Sequence, residues 1–368
     1  MKILLLGEYS NVHHTLSKGL KELGHAVTVA SDGDHWKNFP RDIDLARKTG
    51  TLGTISYLAK LCRALPRLKG YDIIQLINPI FLELKAEHIT PIYRYLKRRN
   101  KKVVLGAFGM DHYWVSVCCQ EKPLRYSDFN IGDKLRDTKD ALKERKEWLG
   151  TGKERLNKTI ARECDGIVAG LYENWICYHP HFKEKTIFIP YPIEMNQQQT
   201  TKGKTSEKTN IFIGINKTRN EYKGTDIMLA AAQRLAEKYP DKVILKIAES
   251  VPFEQYNNMM DNSDIVLDQL YSYTPSMNAL LAMSKGIVVC GGGEPENYEI
   301  IHEQRLRPIL NVQPTFDSVY EELEKIILNP PKMQQMKEES VEYISRYHRY
   351  ETVAQQYEKF YEQLLKKD

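Results

Sequence analysis

The sequence lacks several features that assign a chain to a familiar class. It has no CxxC pair and no cysteine–histidine spacing suited to zinc, and its six cysteines are scattered. This excludes zinc fingers and CxxC redox proteins, and it is typical of buried thiols in a reducing compartment. No GxGxxG follows the first apolar segment, so no residues predict a nicotinamide or flavin cofactor.

Long hydrophobic runs are also missing. The apolar run at residues 2–7 is far too short to span a bilayer, and no small-residue cleavage site follows it. We therefore expect a cytoplasmic protein. The chain of 368 residues is 42% hydrophobic and 27% charged, which is typical of globular proteins and leaves room for two domains.

Positive charge is concentrated locally, although the net charge is only +5. Residues 57–70 carry four bases and no acid, and residues 94–102 carry six bases and no acid. Either these are solvated helix faces, or they contact anionic lipid headgroups at the inner face of a membrane or a phosphate-bearing acceptor. Neither segment interleaves bases with aromatic residues in the pattern of a known nucleic-acid-binding module, so a nucleic-acid partner is not expected.

Short apolar runs alternate with amphipathic helical stretches along the chain. Such continuous runs are typical of parallel strands buried on both faces, so the rhythm predicts a doubly wound α/β fold. The predicted strands of the first half are residues 2–7, 26–30, 73–77, 102–107, 166–170 and 186–190. Those of the second half are residues 210–215, 243–248, 265–269, 286–291 and 307–312.

The pattern predicts two domains. Residues 196–209 are polar and lack apolar periodicity, which is typical of a linker. We therefore predict Rossmann-like domains at residues 1–195 and 210–349, with the helical residues 350–368 joining the first.

Residues 120–163 form a long charged excursion between two strands of the first half. Two interpretations stay open. The excursion is either a helical insertion that packs on the sheet, or a lid or acceptor-docking element beside a ligand crevice.

Ligands of open α/β sheets bind beyond the carboxyl ends of the strands. In the first half, Gly7 follows the first strand and can bring backbone close to a ligand. His13 and His14 then begin a helix, where a structural role is the simpler interpretation. Asp111 follows the fourth strand and is either a catalytic carboxylate or a helix cap; we favour catalysis.

In the second half, Arg219 and Lys223 lie in the loop before a predicted helix at residues 225–239. A guanidinium and an ammonium beside a helix N-terminus suit a diphosphate. The alternative is solvated surface charge.

Two further strand ends of the second half carry groups that suit a nucleotide. Thr274 or Ser276 can cap the next helix, whose first backbone N–H groups, at Met277 and Asn278, would face an anion. After the following strand, glycines permit close backbone approach and acids can accept hydrogen bonds from ribose hydroxyls. These residues are Gly291, Gly292, Gly293, Glu294 and Glu296.

At these residues the chain resembles retaining glycosyltransferases of the GT-B fold, in particular the large family 4. The likeness rests on Lys223-Gly224 before a helix, on the segment at residues 282–286, and on Gly292-Gly293 followed by Glu296. The first half is similar only through the turn at residues 24–27 and through Gly109 with Asp111.

The resemblance implies a fold and a division of labour. It implies two Rossmann-like domains facing a central cleft, with a C-terminal helix that crosses back to the first domain. The second domain would bind a nucleotide sugar and the first a saccharide or lipid-linked saccharide acceptor. Arg219 and Lys223 would hold the donor phosphates, and Asp111 would lie near the reacting sugar. No metal and no cofactor are expected, and the resemblance implies retention of configuration and a role in cell-surface polysaccharide biosynthesis.

The sequence departs from the family at two positions. Two glutamates usually precede the segment at residues 282–286, where one contacts the sugar and the other the ribose. Here Tyr273 and Leu281 replace them, and Glu294 or Glu296 would supply part of the lost polar contact. Two alternatives to a transferase follow: a catalytically silent relative that acts as a partner protein, and a sugar-nucleotide epimerase.

Overall fold

The computed structural model describes residues 1–195, 208–215, 220–249, 251 and 253–367. The predicted donor residue Arg219 and residues 196–207 of the predicted linker lie outside this set.

The secondary structure follows the predicted alternation. The strands are β1 (Lys2–Leu6), β2 (Ala26–Ser31), β3 (Ile43–Asp44), β4 (Ile73–Leu76), β5 (Lys102–Ala107), β6 (Asn130–Ile131), β7 (Lys134–Leu135), β8 (Gly166–Ala169), β9 (Thr186–Phe188), β10 (Thr209–Ile215), β11 (Val243–Glu249), β12 (Ile265–Leu267), β13 (Val288–Gly291) and β14 (Ile309–Asn311). The helices are α1 (Val12–Glu22), α2 (Gly50–Ala64), α3 (Ala86–Arg99), α4 (His112–Gln120), α5 (Lys139–Trp148), α6 (Gly152–Glu163), α7 (Tyr172–Tyr178), α8 (Asn220–Lys223), α9 (Thr225–Lys238), α10 (Phe253–Asp261), α11 (Met277–Ser284), α12 (Pro295–Glu299), α13 (Phe316–Ile327), α14 (Pro330–Tyr343) and α15 (Tyr350–Lys366).

Two parallel sheets organise these elements. The first has the order β3-β2-β1-β4-β5-β8-β9, and the second has the order β11-β10-β12-β13-β14. In the first sheet, Leu5 of β1 pairs in register with Val29 and with Gln75. In the second, Ile213 of β10 pairs with Ile247 and Leu267. In both sheets the strands are added first on one side of the first strand and then on the other side, as in doubly wound folds.

Every strand predicted from the sequence is present, which confirms the predicted α/β class. Burial explains why the prediction worked: Ile3, Leu4, Leu5 and Leu6 are fully buried in β1, because helices cover both faces of the sheet. The sequence analysis missed β3 and the hairpin of β6 and β7, whose strands are only two residues long and carry no periodicity.

The chain divides into two compact units. The first contains Met1–Pro123, Glu144–Pro192 and Tyr350–Asp368, and the second contains Leu124–Lys143 and Ile193–Arg349. Leu124–Lys143 therefore belongs with the second sheet, whereas the sequence analysis placed it in the first domain. The physical reason is a set of hydrogen bonds and ion pairs to the second unit, described below.

Helix α15 is part of the first unit and packs against α1. Its buried side chains include Tyr357 and Tyr361. The hydroxyl of Tyr361 donates to Gln75 of β4 at 2.6 Å, and Gly19 of α1 allows a close approach to Ala354. Helix α15 therefore contributes side chains to the core of the first unit, together with α1 and β4.

Among the described residues, no helix is both long enough and apolar enough to cross a bilayer.

Candidate functional site

The carboxyl ends of β10, β12 and β13 are neighbours in the second sheet, and most of the predicted donor residues lie in the segments that follow them. Helix α8 ends at Lys223, and Gly224 turns the chain into α9 with φ +72°. The N-cap residue of α9 is Gly224, which has no side chain to cap the helix, so it leaves the first backbone N–H groups to other partners. The carbonyl of Lys223 accepts from the backbone N–H of Leu270, which joins this turn to the segment after β12.

The second predicted anion contact is the start of α11. Ser276 precedes the helix but makes no capping hydrogen bond, contrary to the expectation. Its hydroxyl donates to Asp268 at 3.2 Å, and Asn278 Nδ2 donates to the same carboxylate at 3.0 Å. These two side chains therefore contact an acid that follows β12, and Met277 begins the helix without a cap from the Ser276 side chain.

The glycines at the end of β13 and after it are needed for packing, and the approach of their backbone to a ligand stays a prediction. A Cβ at Gly291 would lie 2.9 Å from the carbonyl oxygen of Gln269, and one at Gly292 would lie 2.7 Å from that of Ser272. A Cβ at Gly293 would meet Ile309 at 2.9 Å. Such distances are too short for real Cβ atoms, so glycine is needed for two protein segments to approach each other.

Arg125, from the segment Leu124–Lys143, lies against the acids that follow these glycines. Its guanidinium donates to Glu294 at 2.7 Å and to Glu296 at 2.5 and 3.1 Å. The hydroxyl of Tyr126 also donates to Glu294, and Gln313 Nε2 donates to it at 2.9 Å. Glu294 is almost fully buried, so these donors compensate for its lost hydration.

The electrostatics of this cluster are those of a charge-assisted network. Burial opposes ionisation of Glu296, but the hydrogen bonds from Arg125 outweigh it and lower the pKa of that carboxyl. Glu296 in turn raises the pKa of the Arg125 guanidinium. Both groups are therefore charged at neutral pH.

Tyr273, at the position where the family that the sequence resembles has a glutamate, is part of the same cluster. Its hydroxyl accepts from the backbone N–H of Arg125 at 2.7 Å, and the Arg125 guanidinium lies 4.8 Å from the centre of its ring. The ring of Tyr126 contacts it with centroids 5.0 Å apart. The position thus holds an aromatic platform under a cation. Leu281 lies half-buried on α11.

The other end of the segment contacts α8. Arg136 donates to the backbone carbonyls of Glu221 at 2.7 Å and of Tyr222 at 3.2 Å. Its guanidinium also lies 3.5 Å from the centre of the Tyr271 ring. The hydroxyl of Tyr222 donates to Asp128 at 2.6 Å. Leu124–Lys143 is therefore attached both beside Lys223 and beside Glu294.

Sequence reasoning missed Arg125, Tyr126 and Arg136 as candidate site residues. It noted the charged excursion at residues 120–163 and considered a lid. No local pattern distinguishes these residues from other charged and aromatic positions, because their partners lie 85 to 171 residues away along the chain.

In the first unit, Asp111 is fully buried and caps α4. It accepts from the backbone N–H of Trp114 at 2.8 Å and from the hydroxyl of Tyr178 at 2.6 Å. Burial raises its pKa to about 6 despite these hydrogen bonds. A buried carboxylate with these partners cannot reach a sugar without breaking the cap. The structure thus shows the cap, and a catalytic role for Asp111 stays a prediction.

The turn after β1 is also built for packing. Gly7 adopts φ +88°, and a Cβ there would lie 2.3 Å from Ile77, which explains the glycine without a ligand. The neighbouring Glu8 accepts from the backbone N–H groups of His13 at 3.0 Å and His14 at 2.9 Å. The N-terminus of α1 therefore already faces a carboxylate of this chain.

His13 is structural, as the simpler interpretation held. It is fully buried, and burial lowers its pKa to about 4, so the ring is neutral. Its Nδ1 donates to the carbonyl of Gly7 at 2.8 Å, leaving Nε2 to accept from Gln75 at 3.2 Å.

One group in the described part of the chain has the side chains for a metal ion: Asp32, His35 and Glu83, with ligand atoms within 4.8 Å of one another. His35 Nδ1 lies 3.3 Å from Asp32 and 3.6 Å from Glu83. Mutual ion pairing explains this proximity without an ion, so we assign no metal there.

Comparison with known proteins settles the fold. No protein-family model matches the chain, and no curated protein matches its sequence. Solved structures do match over nearly the whole chain. Sucrose-phosphate synthase from Thermosynechococcus elongatus superposes with a TM-score of 0.60 at 13% identity, covering 99% of both chains. The chain has the GT-B fold.

Two further GT-B structures agree. HepE from Anabaena, solved with UDP and glucose, gives a TM-score of 0.61 at 12% identity and covers 97% of this chain and 98% of its own. The catalytic domain of starch synthase IV from Arabidopsis thaliana, solved with ADP and acarbose, gives 0.58 at 11% identity and covers 99% of both. At such identities the likeness establishes the GT-B architecture and not the activity.

Proposed function

We propose that this protein is a glycosyltransferase that moves a sugar from a nucleoside-diphosphate donor to a saccharide or lipid-linked saccharide. The GT-B fold over the full chain supports this, because the neighbours include structures named with UDP and glucose and with ADP and acarbose. The family resemblance adds a role in cell-surface polysaccharide biosynthesis.

The observation that carries the proposal is the arrangement at the carboxyl edge of the second sheet. Lys223 precedes the N-terminus of α9, and Met277 begins α11; the residue at the N-cap of each helix makes no side-chain cap. Uncapped helix starts with a nearby cation suit a diphosphate. Fixed positive charge at that point stabilises the leaving diphosphate as its charge develops, so no metal is required by the proposal. Retention of configuration rests on the family resemblance.

The acids after β13 would supply acceptor atoms for sugar or ribose hydroxyls. Arg125 fixes both carboxylates, and Tyr273 supports Arg125 from the opposite side. This network stands where the family uses its first glutamate. We propose that Arg125 and Glu296 replace that glutamate in holding the donor.

One observation favours a second candidate, a silent relative that binds nucleotide without turnover. The guanidinium of Arg125 already donates to Glu294 and Glu296, and the side chain of Leu281 has no acceptor atom. Turnover assays separate the two candidates, and product analysis with donor but no acceptor separates the epimerase.

The test is nucleotide binding by calorimetry with UDP, ADP and GDP, followed by donor turnover. We expect Arg219→Ala with Lys223→Ala to weaken binding of the preferred nucleotide at least tenfold, since each fixed cation contributes a charge-assisted contact. The matched control is Arg234→Ala with Lys238→Ala, which removes two exposed bases further along α9. Equal affinity in the two double variants would contradict the phosphate role.

A further inference from the structure

Helix α2 is apolar on two opposite faces. One face is buried within the first unit through Gly53, Tyr57, Leu61 and Ala64. The other carries large apolar side chains in solvent: Leu52 is 83% exposed, Ile55 61% and Leu58 46%. Packing within the chain explains only the first face.

The exposed side chains form one stripe. At about 100° per residue, they fall on an arc of about 120° with the exposed small residues Ala59 and Cys62. Scattered exposed apolar residues need no explanation, whereas a contiguous stripe indicates a contact surface.

Basic side chains follow the apolar stripe, at the C-terminal end of α2 and in the turn after it. Arg63, Arg67 and Lys69 are all exposed, and residues 50–70 contain no acid. Lys60 differs, because it pairs with Asp44 at 2.7 Å.

The second basic segment of the sequence joins the same surface. The backbone N–H of Gly70 donates to the carbonyl of Arg99 at 3.0 Å, and Asn100 Nδ2 donates to the carbonyl of Leu68 at 3.1 Å. The C-terminus of α3 is therefore hydrogen-bonded to the turn that follows α2. Arg98 and Arg99 are exposed there.

Asp72 follows the turn at this junction and is paired within the chain. Asp72 pairs with Lys101 at 2.7 Å and accepts from the backbone N–H of Lys2. Its charge is thus already balanced within the chain, and the surface keeps a positive excess.

We propose that the stripe and the adjoining bases form a docking surface for an anionic lipid bilayer. An interfacial helix buries apolar side chains at the headgroup boundary while bases bind anionic headgroups. The stripe of Leu52, Ile55 and Leu58 supplies the apolar contact. The headgroups are bound by the exposed bases Arg63, Arg67, Lys69, Arg98 and Arg99. Charge complementarity favours anionic over neutral lipid, and the exposed apolar stripe beside the bases favours a bilayer, whose headgroup boundary can bury those side chains. The surface is independent of the donor site.

The experiment is flotation of the full chain with two kinds of lipid vesicle. One kind contains phosphatidylcholine alone, and the other contains phosphatidylcholine with about 30% phosphatidylglycerol, which is anionic. We expect binding to the anionic vesicles that weakens as salt rises, since screening reduces the headgroup contribution. No flotation with anionic vesicles at low salt, or equal flotation with both kinds, would overturn the proposal.

Two variants separate the contributions. Replacing Arg63, Arg67 and Lys69 by Gln should lower the partition coefficient on the order of a hundredfold, at about one fivefold step per base. Replacing Leu52, Ile55 and Leu58 by Ser should also lower it and leave a salt-dependent remainder. All six side chains are exposed or nearly so, so the fold should survive, which circular dichroism checks.

Matched controls use comparable residues elsewhere. Leu328 is 47% exposed and Arg234 is 67% exposed, and both lie in the second unit. Leu328→Ser and Arg234→Gln should bind vesicles as the natural chain does. If they lose binding equally, the surface assignment is wrong. A concentration-dependent dimer without lipid that Leu52→Ser with Ile55→Ser abolishes would assign the stripe to self-association instead.

Discussion

Asp111 shows how burial decides the role of a single carboxylate. A strand-end acid between glycines is equally compatible with catalysis and capping in sequence. In the structure both of its oxygens accept hydrogen bonds, one from the backbone of Trp114 and one from the hydroxyl of Tyr178. Its contribution is therefore to stability.

We predict that Asp111→Ala lowers the free energy of unfolding by about 2–3 kcal/mol, because it removes a cap and leaves the buried Tyr178 hydroxyl without its acceptor. Urea denaturation measures this. Asp111→Ser keeps a capping oxygen and should lose less. If Asp111→Ser is as stable as the natural chain yet loses all donor turnover, the catalytic interpretation is restored.

Glu8 gives a prediction for pH. Burial raises the pKa of Glu8 from 4.5 to about 7 in the folded chain, although backbone N–H groups oppose this. The stabilisation from its protonated form is therefore complete below pH 4.5 and is lost as the pH rises through 7. The linkage amounts to about 3 kcal/mol.

The measurement compares the natural chain with Glu8→Gln by denaturation from pH 4.5 to 8. The natural chain should lose stability relative to the variant across this range. His13, whose pKa is lowered to about 4, has the opposite pH dependence, which cancels in the difference. Glu87→Gln, at an exposed acid of α3, is the control. Parallel stability curves for the natural chain and Glu8→Gln would refute the prediction.

At the scale of elements, Leu124–Lys143 is the informative piece. The segment includes only the short hairpin of β6 and β7 and the start of α5. Its order therefore depends on contacts to other elements: Arg125 and Tyr126 to the acids after β13, and Arg136 to α8. Such a segment opens more easily than the strands it covers.

Removing the guanidinium should loosen this segment. We predict that Arg125→Ala speeds amide exchange in residues 124–136 on the order of tenfold, because two ion-paired contacts are lost while the sheets are untouched. Hydrogen exchange with mass spectrometry resolves the segment. Arg155→Ala, at a base that is 71% exposed on α6, should leave exchange in residues 124–136 unchanged. Identical exchange in both variants would show that Arg125 does not hold the segment.

At the scale of the whole molecule, helices that are far apart in the sequence pack together in the first unit. Helix α1 follows the first strand, and α15 ends the chain, yet the two pack together through Gly19 and Ala354. The hydrogen bond between Tyr361 and Gln75 adds a polar tie between α15 and β4.

We predict that Gly19→Ala destabilises the chain by about 1–3 kcal/mol, since the added Cβ would lie 2.6 Å from that of Ala354 and the core must shift. Alanine is otherwise the better helix former, so the sign of the change tests the packing. Thermal unfolding measures it, with Lys21→Ala on the exposed side of α1 as control. The double variant with Ala354→Gly should cost less than the two single changes together. A stabilised Gly19→Ala would contradict this packing.

The sequence by itself determined the longer strands and their parallel arrangement, because continuous apolar runs and helical periodicity are local consequences of burial. The resemblance of its motifs to a known family indicated the GT-B class. The sequence also indicated which strand ends carry polar groups. Only the tertiary structure decided what those groups contact. Gly291 packs on Gln269, Asp111 is buried under Tyr178, and Arg125 reaches Glu294 across 169 residues. Such partners are brought together by the fold, so no local pattern encodes them.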